Sequence, residues 1–122
     1  MEPKQFVEEI MKLSPLIRFS AIHFEGDFYI KKRDGVKTHL DSFETTKSMS
    51  HAVLRMEQRE EFSQKIGNVR YVLAKYDKLN RVTIPLGKDG LVMFSIELEA
   101  ECELIAEKVI EFKKKNEISI NA

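Results

Sequence analysis

Residues 71–94 read YVLAKYDKLNRVTIPLGKDGLVMF. The stretch alternates apolar and polar residues, breaks at a polar turn, alternates again, breaks at glycines and alternates a third time. That is the period-two signature of three successive strands. The first is expected over Val69–Tyr76, with Val69, Tyr71 and Leu73 set against Arg70, Val72 and Ala74. Asp77–Asn80 turns the chain into a second strand, Arg81–Leu86. Pro85 removes a ladder donor there and predicts a bulge or a strand end. Gly87-Lys88-Asp89-Gly90 is a hairpin turn. In the last strand, Leu91–Leu98, the residues Val92, Phe94, Ile96 and Leu98 face one way, and Met93, Ser95, Glu97 and Glu99 the other.

Working upstream, Asp41 and Glu44 form the two ends of a capping box, with Asp in place of Ser or Thr. A helix is expected from Phe43 to Ile66, about 35 Å long at the standard rise. Met49, Ala52, Val53 and Met56 make its apolar stripe, and Phe62 and Ile66 continue it beyond the polar run Glu57–Glu61. Gly67-Asn68 is a stop signal. Ahead of this helix, Leu16–Phe24 has apolar residues on both faces and reads as a central strand. In that strand Ile17, Phe19 and Ala21 are expected to point one way, and Leu16, Ile22 and Phe24 the other. Glu25-Gly26-Asp27 turns into a return strand, Phe28–Arg33, whose Lys31, Lys32 and Arg33 suit a sheet edge. Pro3 with Phe6, Val7, Ile10 and Met11 gives a first helix that Ser14-Pro15 ends. A last helix carries Ile105, Val109 and Phe112, flanked by Cys102 and Leu104, with Lys113–Lys115 in its last turn. The order is helix, two strands, long helix, three strands, helix.

The size is that of one domain, expected over residues 1–115, with a frayed tail over 116–122. Lysine plus arginine and aspartate plus glutamate number 20 each, so the net charge is zero. This argues against a dedicated nucleic-acid binder and leaves little electrostatic resistance to self-association. The single cysteine, Cys102, excludes a disulfide within the chain and points to a reducing cytoplasm. No apolar run approaches the roughly 18 residues of a membrane-spanning helix, and the acidic N-terminus is unlike a signal peptide.

The element order, together with the Ile-Pro-Leu-Gly that ends the middle strand of residues 71–94, resembles the roadblock/dynein-light-chain superfamily, whose sheet plan is profilin-like. The chain as a whole is also similar to small archaeal proteins of that type. The resemblance implies an α+β fold. A five-stranded antiparallel sheet would carry the long helix on one face and the N- and C-terminal helices on the other. It further implies a dimer made through the third strands and long helices, action as a platform or regulator for a small Ras-like GTPase, and no catalytic residues.

The residues themselves support the dimer. Val69, Tyr71, Leu73 and Tyr76 are apolar for a free sheet edge, and pairing with a second copy would satisfy both the backbone and these side chains. The charged side of the long helix, with Lys47, Arg55, Arg59 and Glu60, is the expected partner-facing surface. Other constellations read as structural. His23, His39 and His51 fall on different elements without ligand spacing, so no metal site is expected. Cys102 reads as a packing residue and not a nucleophile. Glu97, Glu99, Glu101 and Glu103 read as a solvated run, and the basic clusters Lys31–Arg33 and Lys113–Lys115 likewise. No phosphate-binding loop is present, and no cofactor is expected. The rival reading is a small-molecule sensory module similar to PAS-like domains, with a cavity lined by Phe19, Phe28, Met49, Met56, Met93 or Phe94.

Overall fold

The computed structural model describes residues 1–88 and 90–118. Asp89 of the expected hairpin turn, and 119–122 of the expected tail, lie outside the described residues. The elements are α1 (Pro3–Met11), β1 (Ile17–Phe24), β2 (Asp27–Lys32), α2 (Ser42–Glu60), α3 (Ser63–Ile66), β3 (Val72–Lys75), β4 (Asn80–Pro85), β5 (Gly90–Ile96) and α4 (Cys102–Lys115). The strands form one five-stranded sheet in the order β2-β1-β5-β4-β3, every neighbouring pair antiparallel. Helices α1 and α4 cover one face over Phe6, Ile10, Ile22, Phe94, Ile96 and Val109. Helix α2 covers the other over Ala21, Met49, Ala52, Met56, Leu91 and Met93.

Sequence signals act locally as physics requires. The Asp41 carboxylate accepts from the Glu44 backbone N–H at 2.7 Å, and the Glu44 carboxylate accepts from the Asp41 N–H at 3.1 Å. This satisfies two of the orphan donors at the start of α2. Pro85 ends β4, and Gly90 opens β5 at φ +155°, where an added Cβ would lie 1.7 Å from the His23 carbonyl oxygen on β1. Only glycine permits that approach.

Three expectations are corrected. The long helix does not run to Ile66: α2 stops at Glu60, and α3 is a separate turn. Continuing the inward stripe Met49, Ala52, Met56 by one turn brings Arg59 and Glu60 to the sheet side, and a helix cannot bury such residues unpaired. Phe62 and Ile66, expected to continue the core, are exposed.

The alternation in β1 is also broken. The pairing of β1 with β5 shifts between Ile17 and Phe19, so Ile17 joins the α1/α4 core while Phe19 and Ala21 face α2. Two arginines surround the bulge. Arg33 donates from Nε to the Ile17 carbonyl at 2.7 Å and from Nη2 to the carbonyls of Met11 and Ser14 at 2.8 and 2.9 Å. It therefore ties the end of α1 to the sheet, while Lys31 and Lys32 supply the charge on the β2 edge. Arg18 turns away to Glu97 at 2.7 Å and to the Lys37 carbonyl at 2.6 Å. Glu97 is thus half-buried and ion-paired, unlike the exposed Glu99, Glu101 and Glu103.

The third strand is shorter than expected. Val69–Tyr71 only approaches it, because extending the β3–β4 ladder past Val72↔Thr83 would soon reach Pro85, which has no N–H to donate. In the tail, the N-terminal ammonium donates to the Glu117 carbonyl at 2.8 Å, and Ile118 packs against the α1/α4 core.

Candidate functional site

The last strand in the sheet order is β3, so among the described residues its outer side has no strand neighbour. Val72, Leu73 and Ala74 are half-buried in the single chain. The four residues expected at this edge are divided by the sheet. Tyr71 and Leu73 pack toward the α1/α4 core, and Val69 packs toward the α2 core. Tyr76 stands exposed just past the strand, with the Arg81 guanidinium 5.6 Å from its ring centroid. Arg70 reaches Glu107 of α4 at 2.8 Å across an exposed surface, a pair worth less than about 1 kcal/mol.

Beside this edge lies the outer side of α2. At 100° per residue, the side opposite Met49, Ala52 and Met56 carries Phe43, Lys47, His51 and Leu54. Phe43 and Leu54 are 75% and 55% exposed. Lys47 and Arg55 lie on the open surface as expected, with Arg59 toward its flank. Glu60 does not join them. It is half-buried and lines a cleft with Gly87 and Lys88 at the β4–β5 turn. Burial lowers the pKa of Lys113, whose ammonium donates to the Pro85 carbonyl at 2.9 Å; Lys114 lowers it further and Glu60 opposes the shift.

Reading the charges alone missed Phe43 and Leu54. The usable signal was their position: two large apolar residues opposite a helix's core stripe face away from the core that the helix packs on. An open groove of about 870 Å³ runs between the first turns of α2 and the β3–β4 connection, lined by Phe43, Lys47, His51, Tyr76, Leu79 and Arg81 among others. The site is thus a free sheet edge, a mixed apolar and cationic helix side, and a groove at one end.

The other constellations stay apart. His23 sits on β1 with its ring 4.9 Å from that of Phe28, while His39 and His51 are exposed. Among the described residues, no group of three or more His, Cys, Asp and Glu could hold a metal ion. The Cys102 thiol is buried and points to the Ala100 carbonyl at 3.6 Å. Of the side chains named for a sensory cavity, Phe19, Phe28, Met49, Met56 and Met93 pack together in the α2 core, while Phe94 belongs to the α1/α4 core. Among the described residues, no helix is long and apolar enough to cross a membrane.

No family model matches the chain, and no curated protein matches it. Solved structures do. The fold is similar to a roadblock/LC7 domain from Streptomyces avermitilis, with a TM-score of 0.65 and 10% identity over 94% of this chain and 97% of that one. It is similar to MglB of Myxococcus xanthus, with a TM-score of 0.67 and 8% identity over 92% of this chain and 84% of that one. An MglB structure with a tetrameric arrangement matches at a TM-score of 0.66 and 9% identity over 91% of this chain and 84% of that one. The chain therefore has the roadblock fold.

Proposed function

We propose that the chain is a non-enzymatic dimeric scaffold or regulator that binds a small Ras-like GTPase or a similar protein. Two copies pair through their β3 edges and lay their α2 helices side by side. The observation that carries this reading is the uncompleted sheet edge at β3. Among the described residues, the edge strand with half-buried Val72, Leu73 and Ala74 has no strand on its outer side, and α2 exposes Phe43 and Leu54. Pairing with a second copy would complete the ladder and cover the apolar side chains in one step. Burying an exposed Phe or Leu contributes about 1.5–3 kcal/mol each. The tetrameric arrangement described for one MglB supports self-association as a property compatible with this fold.

Arg55 and Arg59 lie toward one flank of that seam, and Lys47 is exposed between Phe43 and Leu54. There they suit an acidic partner surface and raise its association rate more than its final affinity. The test is mass in solution with two single variants. Leu54→Glu touches an exposed residue, so the fold should survive and the dimer should separate. Leu73→Asp should also separate it, and Leu54→Glu stands as the control for unfolding. If both variants remain dimeric, the assigned seam is wrong. Retention of purified small GTPases on the immobilised chain tests the partner: binding by none of a Ras-like panel would remove the GTPase assignment while leaving the dimer intact.

A further inference from the structure

Beneath the first turns of α2, the sheet encloses a cavity of about 40 Å³. Its wall includes Arg18, Phe19, Lys32, Thr45, Arg81 and Ser95. Arg81 on β4 and Ser95 on β5 are cross-strand partners, and both are buried, at 8% and 0% exposure. The Arg81 guanidinium spends one arm on Ser48 of α2, donating from Nη1 to Oγ at 2.6 Å. Among the described residues, its Nε and the Ser95 Oγ have no hydrogen-bond partner.

A buried cation without a counter-charge is costly, and so is a buried donor without an acceptor. Among the described residues, no carboxylate forms an ion pair with Arg81. Burial lowers its pKa from the ordinary arginine value; Tyr76 opposes this and Arg55 adds to it. Arg18 and Lys32 add positive charge to the same wall, Arg18 being already engaged with Glu97. The cavity wall therefore holds two unpartnered polar groups on neighbouring strands, one of them on a buried cation, with Lys32 as a further basic side chain.

We propose that this cavity binds a single small carboxylate, which accepts from Arg81 Nε–H and Ser95 Oγ–H. A planar carboxylate presents two oxygens to such a pair of donors. The volume exceeds the 10–15 Å³ that one water needs, yet it is too small for a ligand much larger than the carboxylate group. Access is through the groove beside α2, since His39, Leu40, Leu79 and Arg81 line both spaces. The inference does not depend on the dimer and can fail separately from it.

The experiment is a titration of the full chain with sodium formate at constant ionic strength, held with sodium chloride, following the Arg81 Nε–H signal by nitrogen-15 NMR. Arg81→Gln assigns the signal by its loss. A saturable shift is expected, with binding about tenfold weaker in Ser95→Ala, as for loss of one hydrogen bond to a charged ligand. Ser95→Ala removes a buried hydroxyl that has no partner, so the fold should tolerate it. No saturable shift, or a titration unchanged by Ser95→Ala, would overturn the proposal and leave the cavity to water.

Discussion

The face of the sheet under α1 and α4 buries Phe6, Ile10, Ile17, Ile22, Phe94 and Ile96 against two helices, whereas the face under α2 buries chiefly methionine and alanine. The first face holds large, shape-specific side chains, and its buried Ser20 hydroxyl is satisfied by the Val7 carbonyl at 2.7 Å. The second also buries Thr45, Arg81, Thr83 and Ser95, leaves three polar atoms (His23 Nδ1, Arg81 Nε and Ser95 Oγ) without partners among the described residues, and turns Phe43 and Leu54 outward. One face has the density and satisfaction expected of a folding core. The other has the adaptable packing and unmet polar groups that mark a surface shaped for something besides stability.

That contrast can be tested by substitution. Phe94→Ala should cost about 4 kcal/mol, because a fully buried aromatic leaves a cavity that two helices cannot close. Chemical denaturation measures it, and a loss below that of Met49→Ala would reverse the ranking of the two faces. Gly90→Ala should cost more than about 3 kcal/mol, since both its φ and the 1.7 Å approach to the His23 carbonyl forbid a Cβ. It acts at the central strand pair that both faces share, so thermal unfolding should show both layers failing together. Met49→Ala should cost only about 2 kcal/mol, at the low end for such truncations, because neighbouring methionines can shift into the space. Asp41→Ala should cost about 1 kcal/mol by removing the cap of α2. Hydrogen exchange should locate that loss in the first turn of α2; protection unchanged there would refute the capping role. Leu54→Glu should change monomer stability by no more than about 0.5 kcal/mol, so a large loss would place Leu54 in the core and not on the seam.

The α1/α4 side was legible in the sequence because its signals are periodic and local: Phe6, Val7 and Ile10 on one helix, Val92, Phe94 and Ile96 on one strand. The Asp41–Glu44 cap and the inward stripe of α2 were legible for the same reason. The failures have a common physical origin, which is that tertiary partners override local pattern. Phe62 and Ile66 have helical spacing whether or not a core lies beneath them, and none does. Ile17 keeps a strand-like pattern, but the bulge held by Arg33 turns it to the opposite face. Arg81 is the clearest case. Its charge says surface, and only the cross-strand neighbour Ser95 and the overlying Ser48 reveal it as buried. At the candidate site, the charged residues of α2 were visible from composition. Phe43 and Leu54 were overlooked because their meaning lies in what fails to cover them.

The most direct measurement is multi-angle light scattering on a sizing column across a concentration series, with Leu54→Glu run in parallel. A mass near twice 14.2 kDa for the natural sequence and near 14.2 kDa for a folded Leu54→Glu variant is the expected result. A mass near 14.2 kDa for both, at every concentration, would contradict pairing through β3 and α2 and leave the exposed face of α2 without the partner assigned to it.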